Sequence, residues 1–237
     1  MLEHGGNKGF KRVQVLSLFP DQKFIHMHFV IFTGGGFQSG KLALEAIQNA
    51  DKIVAADSGA EIAVGLNIIP TVVIGDFDSL SVKTQSFLKE KGCRFITSPK
   101  EKNETDTNLA INYAVSEGAS KITILGGTTG DRFDHILSNL LITAESHVPI
   151  RFIDGRQESW IETGPKKVDI KGKKGDLLSL IPISRSVDRI QTQNLYYPLK
   201  DESLFLRKTR GVSNVFVKSD ALVSFTKGIL LFVHTYS

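Results

Sequence analysis

Residues 71–80 read TVVIGDFDSL and combine an apolar strand with two acidic side chains. The run Thr71–Ile74 favours a buried strand, because β-branched side chains pack well on a pleated sheet. Gly75 ends this run, and Asp76 and Asp78 follow with one residue between them. Two carboxylates so close repel each other unless a cation or hydrogen-bond donors share them. The stretch therefore predicts a strand that ends at a charged site.

The same strand-then-helix pattern recurs from residue 28 to about residue 150. The predicted strands are 28–32, 52–56, 71–75, 94–97 and 121–125, and the predicted helices are 41–50, 60–66, 82–91, 107–117 and 133–145. Strands that alternate with helices form a mostly parallel sheet with helices on both faces. The pattern predicts a Rossmann-like α/β domain over residues 27–150.

The helical period fades after about residue 150. Apolar runs at 168–170 and 177–183 flank a Gly-Lys-Lys-Gly turn, and runs at 221–225 and 229–233 flank Thr-Lys-Gly. Each pair predicts a β-hairpin. Residues 151–237 are therefore predicted to form an antiparallel β-sandwich or barrel.

Residues 1–26 fit neither pattern, and Met27 directly precedes the first strand. We expect residues 1–26 to be a dispensable extension. The single cysteine, Cys93, excludes an internal disulfide and is expected in the core. No apolar run approaches the ~20 residues that a membrane-spanning helix needs. Together these features favour a cytoplasmic protein.

Charge is unevenly distributed along the 237 residues. The net charge of +4 divides into +2 for residues 1–27, −4 for residues 28–150 and +6 for residues 151–237. No basic stripe with interleaved aromatic residues is present, so nucleic-acid binding is not predicted. The acidic middle segment suggests a metal site. The basic last third suits an anionic ligand or a solvated surface.

Acidic residues follow several strands of the predicted parallel sheet. Asp57 follows the second strand, Asp76 and Asp78 follow the third, and Asp106 begins the helix after the fourth. The carboxyl ends of parallel strands meet at one edge, where open α/β sheets bind ligands. Oxygen ligands without a Cys/His cluster favour Mg²⁺ over Zn²⁺. Phe77, between two of these aspartates, is predicted to turn inward and anchor the loop.

A phosphate site is predicted at the same edge. Gly126–Gly130 follow the fifth strand and lead into a helix, whose free N–H groups form an anion site. Arg132 adds a planar donor that suits phosphate oxygens. An acidic cluster beside a phosphate cradle predicts metal-assisted phosphoryl chemistry.

Simpler explanations exist for most of these residues. Thr105 or Asp106 could only cap a helix, and Asp57 could only hold a turn. The triple glycine 34–36 could be a tight turn, and His135 could be structural. The Asp76 and Asp78 pair is the feature that no such explanation covers.

Five blocks of the chain, in order, resemble the thiamine pyrophosphokinase family. They are ADSGA at 56–60, GDFDS at 75–79, KNETD at 102–106, GGTTGDRFDH at 126–135 and GVSN at 211–214. The resemblance implies transfer of a diphosphate from ATP to thiamine, giving thiamine diphosphate and AMP. It also implies a homodimer with thiamine bound near the subunit interface.

The resemblance implies a role for each matching residue. The Mg²⁺ ligands would be Asp57, Asp76, Asp78 and Asp106. The ATP contacts would be Lys102, Thr105, Gly127, Thr128, Thr129, Arg132, His135 and Asn139. The catalytic residues would be Asp78, Asp106, Arg132 and Asp134, and Ser213 and Asn214 would hold thiamine.

Three other functions are compatible with these residues. A strand followed by Asp-x-Asp also opens haloacid-dehalogenase-type phosphatases, in which Asp76 would be a phosphorylated nucleophile. A diphosphokinase of the same fold could act on a pterin alcohol. The carboxylates could also hold a Mg²⁺–nucleotide without turnover.

Overall fold

The computed structural model of the protein describes residues 26–99 and 103–237. Its first half alternates strands and helices: β1 (Met27–Phe32), α1 (Lys41–Gln48), β2 (Lys52–Ala56), α2 (Gly59–Gly65), β3 (Val72–Gly75), α3 (Val82–Glu90), β4 (Arg94–Thr97), α4 (Asp106–Ser116), β5 (Ala119–Leu125) and α5 (Phe133–Ile142), with one 3₁₀ turn at Thr143–Glu145. The strands and helices predicted for this half are confirmed, with bounds that shift by a few residues.

The second half consists of strands. They are β6 (Ile150–Asp154), β7 (Gln157–Thr163), β8 (Lys166–Lys171), β9 (Leu177–Pro182), β10 (Ser186–Gln193), β11 (Lys200–Phe205), β12 (Asn214–Val215), β13 (Asp220–Phe225) and β14 (Ile229–Thr235). None of the helices within 26–99 and 103–237 has the length and apolar character to cross a membrane.

Ten strands form one sheet in the order β12-β9-β14-β7-β6-β5-β1-β2-β3-β4. The strands from β6 to β4 in this order are parallel, and β7, β14, β9 and β12 continue the sheet in antiparallel pairing. The chain order reverses between β1 and β5, so this gap is a switch point of the kind that binds ligands. The sheet passes through residue 150 without interruption.

The remaining sheet has the order β11-β10-β13-β8 and packs on the antiparallel end of the large sheet. Their shared core contains Trp160, Leu180 and Phe232 from the large sheet, and Ile190 and Val223 from the small one. This arrangement confirms the predicted fold class, which is a parallel α/β sheet joined to a β-sandwich.

Both predicted hairpins in the sandwich are wrong. β8 pairs with β13, whereas β9 pairs with β12 and β14, so the Gly172–Gly175 turn crosses between the sheets. The turn at 226–228 also crosses, because β13 belongs to the small sheet and β14 to the large one. Alternating apolar residues indicate that one face of a strand is buried. They do not indicate which of two facing sheets the strand belongs to, because a strand in either sheet buries one face in the shared core.

Two apolar clusters cover the two faces of the parallel sheet. One contains Phe29, Ile31 and Phe152 with the buried face of α4, and the other contains Val30 and Phe32 with α1 and α2. Cys93 is buried in the second cluster, and this burial raises the pKa of its thiol to about 11. Its predicted place in the core is confirmed.

Candidate active site

A cavity of about 360 Å³ opens at the carboxyl ends of the parallel strands, around the switch point between β1 and β5. Ten of the predicted residues line it: Asp57, Asp76, Asp78, Thr105, Asp106, Gly127, Thr129, Arg132, His135 and Asn139. Two described residues that were predicted for the ATP and catalytic site, Thr128 and Asp134, do not line it. Lys102 lies outside the described residues.

Three carboxylates converge on one side of the cavity. Asp57, Asp76 and Asp78 each offer an oxygen, and these oxygens lie within 4.8 Å of one another. Asp106 is also close to this group. A Cβ atom added at Gly75, the residue before Asp76, would lie 3.3 Å from Oδ1 of Asp106. This spacing and the all-oxygen donor set suit a hard divalent cation.

Asp57 is the aspartate of this cluster with the clearest need for a partner. Its Oδ1 is buried and has no hydrogen-bond partner among residues 26–99 and 103–237. Burial raises the pKa of the Asp57 carboxyl, and the nearby carboxylates of Asp106 and Asp76 raise it further. A buried carboxylate oxygen without a donor is costly, and a bound cation would satisfy it.

The backbone around the cluster is unusually constrained. Asp57 and Phe77 adopt positive φ angles of 44° and 63°, which non-glycine residues seldom do. Phe77 packs against the core and meets the ring of Phe95 edge-to-face at 5.3 Å, as predicted. Such strain persists where the surrounding structure enforces it, as at functional sites.

The opposite side of the cavity consists of two joined glycine-rich loops. The Gly36 N–H donates to the carbonyl of Thr129 at 3.0 Å, and the Thr129 hydroxyl donates to the carbonyl of Gly36 at 2.7 Å. Gly127 has a φ of 75°, and the buried amide of Asn139 donates to its carbonyl at 3.2 Å. These hydrogen bonds tie the glycine loop after β5 to the loop after β1 and to α5.

Arg132 and Asp134 form an exposed ion pair at the start of α5. The guanidinium donates to both carboxylate oxygens, at 3.0 and 2.7 Å. Arg132 lowers the pKa of Asp134 to about 2. A carboxylate with so low a pKa is a weak proton acceptor at neutral pH. The pair occupies two of the five N–H donors of the guanidinium, so the remaining donors of Arg132 can still bind a phosphate.

The simpler explanations hold for parts of the site. The Thr105 hydroxyl caps α4 by accepting from the N–H of Asn108 at 3.2 Å. The carbonyl of Asp57 closes a turn to the N–H of Ala60. Thr105 and the Asp57 carboxylate nevertheless line the cavity, so a local structural role and a place in the site coexist.

Several cavity residues were not predicted as site residues. Thr33, Ser79, Thr107 and Asp131 also line the cavity, and the hydroxyls of Thr33 and Thr107 are hydrogen-bonded at 2.6 Å. Thr33 directly follows the first predicted strand, and Ser79 directly follows the Asp76–Asp78 pair. These positions at the predicted edge could have identified both residues.

The predicted thiamine contacts lie at β12, the strand at one edge of the large sheet. Asn214 is buried, and its amide group accepts from the N–H of Tyr197 and donates to its carbonyl. Ser213 is exposed beside it. Asn214 and Tyr197 line a cavity of about 370 Å³ together with Arg210 and Val212. Asn214 therefore fixes the Tyr197 backbone, and the exposed tyrosine ring was not predicted.

Comparison with known proteins identifies the family. The model of the thiamin pyrophosphokinase catalytic domain matches residues 43–151, and the model of the thiamin pyrophosphokinase vitamin B1 binding domain matches residues 166–230. Thiamine pyrophosphokinase of Bacillus subtilis is 29% identical over 186 residues, which cover 77% of this chain and 86% of that protein.

Solved structures agree with these matches. The crystal structure of the Bacillus subtilis thiamine pyrophosphokinase has a TM-score of 0.78 at 26% identity, covering 89% of this chain and 99% of that one. The Geobacillus thermodenitrificans thiamin pyrophosphokinase has a TM-score of 0.76 at 25% identity, covering 89% and 98%. The yeast enzyme, at 16% identity and a TM-score of 0.74 over 90% and 87%, shares the fold. The chain belongs to the thiamin pyrophosphokinase family.

Proposed function

We propose that this protein transfers the diphosphate of ATP to the hydroxyl of thiamine, giving thiamine diphosphate and AMP. The observation that carries the proposal is the single cavity in which three converging carboxylates face a glycine-rich loop and Arg132. Residues 27–150 would bind Mg²⁺–ATP, and residues 151–237 would bind thiamine. We also infer a cytoplasmic protein that binds neither nucleic acid nor membranes.

Asp57, Asp76 and Asp78 would hold Mg²⁺, with Asp106 beside them. The orphaned Oδ1 of Asp57 supports this fit, because a cation would satisfy a buried oxygen that has no donor. When bound, the ion supplies positive charge that stabilises the oxygens of the transferring phosphoryl groups.

The glycine loop and Arg132 would bind the phosphates. Backbone N–H groups of Gly127 and Thr129, with Thr105 and His135 nearby, would donate to phosphate oxygens at the start of α5. Arg132, held by Asp134 through Nε and Nη2, would donate to the β-phosphate with its remaining N–H groups. Asp134 would then orient Arg132, and Asp78, the most exposed of the three clustered aspartates, would accept the hydroxyl proton.

Thiamine and ATP would meet across two subunits. Five strand spacings separate β12, which bears the Ser213 and Asn214 site, from β5, which leads to the phosphate site. At about 4.8 Å per strand this is about 24 Å, too far for direct transfer within one chain. The exposed faces of Phe133, Leu137 and Leu141 on α5 offer apolar surface for a second copy.

The decisive assay incubates the protein with Mg²⁺, ATP and thiamine and quantifies AMP and thiamine diphosphate. Both products should form in equal amounts. AMP formation with a pterin alcohol in place of thiamine would favour the related acceptor. ATP binding without AMP formation on either alcohol would favour a non-catalytic module, and a phosphoenzyme at Asp76 would favour a phosphatase.

A heterodimer of two inactive variants should recover activity. Asp78→Asn would disable the phosphate site, and Tyr197→Ala would weaken the thiamine site while removing an exposed ring. A heterodimer purified through two different tags holds one intact composite site, so we expect about half of the wild-type turnover. Activity no higher than that of either homodimer would contradict a site shared between subunits.

Mg²⁺ affinity should weaken as the pH falls below neutrality. The raised pKa of Asp57 means that this carboxyl takes up a proton at a higher pH than an ordinary aspartate, and the proton competes with the ion. Calorimetric titration of Mg²⁺ over a pH series would measure this. Asp57→Asn should bind Mg²⁺ more weakly and lose the part of the pH dependence that lies above the ordinary aspartate range. An affinity independent of pH in the wild type would be incompatible with Asp57 as a ligand.

A further inference from the structure

A second large cavity lies between the start of α1, the turn from β6 to β7 and the connection that follows β8. Its volume is about 660 Å³, which falls within the range of about 300–1,000 Å³ typical of small-molecule sites. It shares no lining residue with the candidate active site. We call it the basic cavity, after Lys41, Arg156, Lys171 and Lys173, which line it.

These four cations come from three separate segments of the chain. Lys41 begins α1, Arg156 lies in the β6–β7 turn, Lys171 ends β8, and Lys173 lies in the connection that crosses between the sheets. Glu45 is the acidic side chain on the cavity wall, and it lies 3.6 Å from Lys41. In the described part of the chain, no carboxylate forms an ion pair with the other three.

Convergence of like charges costs free energy that a solvated surface would avoid by spreading them. The backbone that carries these residues is nevertheless closely packed. A Cβ atom at Gly40 would lie 2.8 Å from the carbonyl oxygen of Gly155, and one at Gly172 would lie 3.0 Å from Oδ2 of Asp176. Lys41 and Arg156 therefore extend from two backbone segments in close contact, and Lys171 precedes a glycine that packs against a buried carboxylate.

The connection that carries Lys173 is also fixed. Its N–H donates to Oδ2 of the buried Asp176 at 2.8 Å, and the same oxygen lies 3.1 Å from Nε2 of His234. Asp176 is buried and hydrogen-bonded to these internal groups, and it forms no ion pair with the lysine side chains of the described residues. Backbone segments that are fixed before a ligand arrives lose little conformational entropy when it binds.

We propose that the basic cavity binds a small phosphorylated ligand at a site separate from the substrates. Phosphate groups carry enough charge and enough acceptor oxygens to engage several lysines and the guanidinium of Arg156 together. The first turn of α1 has no side-chain cap, so its N–H groups add donors on the same wall. Tyr236, whose ring packs on that of His234, also lines the cavity.

The test is calorimetric titration with inorganic pyrophosphate in EDTA, without Mg²⁺, so that metal-dependent binding at the active site is suppressed. Lys173→Met and Lys171→Met should each weaken binding by about tenfold, since each removes a charged hydrogen-bond donor. Lys174→Met is the matched control, because Lys174 adjoins Lys173 in sequence and is exposed but does not line the cavity. Arg132→Met should bind like the wild type.

Three outcomes would overturn the proposal. They are no binding to the wild type, equal weakening in Lys174→Met and Lys173→Met, and loss of binding in Arg132→Met. Unchanged thermal unfolding midpoints would show that the variants are folded. Diphosphate transfer to thiamine, assayed on the same wild-type preparation, separates failure of this second site from failure of the proposed activity.

Discussion

Asp78→Asn is expected to lower the turnover of diphosphate transfer by about a hundredfold or more. Asparagine keeps the size of the side chain but removes a full charge from a cluster whose oxygens lie within 4.8 Å of one another. The remaining carboxylates would then hold Mg²⁺ less tightly, and a proton acceptor would be lost. Steady-state kinetics at saturating ATP and thiamine would measure the effect, and raising Mg²⁺ should restore part of it.

Asp169→Asn is the matched control for this substitution. Asp169 is an exposed residue of β8, in the small sheet, so the same chemical change there should leave turnover near the wild-type value. Near-normal turnover in Asp78→Asn at low Mg²⁺ would remove Asp78 from the site. Equal losses in the two variants would point to a general effect of charge.

The acidic edge of the sheet was predictable because it depends on local order alone. A parallel strand delivers the next residue to a known edge, so Asp57, Asp76 and Asp78 had to lie near one another once the strands were identified. The preference of Phe77 for the core followed from the same reasoning. The same reasoning placed Asp106 and the phosphate loop at this edge, and the family blocks then implied a role for each residue.

The unpredicted features depend on long-range contacts or on side-chain rotamers. The pairing partners of β9 and β14 decide which of the two facing sheets each strand joins. A turn sequence such as Gly172–Gly175 can connect two strands of a hairpin or two strands of different sheets. The bidentate pair of Arg132 with Asp134 depends on side-chain rotamers, as does the use of Asn214 to brace Tyr197. The continuity of the sheet through β6 was hidden because the change in period occurs at that strand.

Gly59→Ala is expected to destabilise the protein by about 3 kcal/mol, at the upper end for overpacking in a core. A Cβ atom at Gly59 would collide with the carbonyl oxygen of Phe32, which belongs to the backbone of β1 and cannot rotate away. Either α2 or the end of β1 must move. Because Asp57 lies two residues before this contact, Mg²⁺ affinity should fall together with the free energy of unfolding.

Gly65→Ala separates the contact from the effect of glycine itself. Gly65 lies at the other end of the same helix, and a Cβ atom there would meet nothing within 4 Å. Alanine has the higher helix propensity, so this variant should gain up to about 1 kcal/mol. Urea unfolding of both variants, with Mg²⁺ titration of the folded protein, would measure the two effects. If Gly59→Ala matched Gly65→Ala in both stability and Mg²⁺ affinity, the close approach of α2 to β1 would not be what positions Asp57. A stable Gly59→Ala protein with weakened Mg²⁺ binding would instead show that the backbone at this junction moves and carries the carboxylate with it.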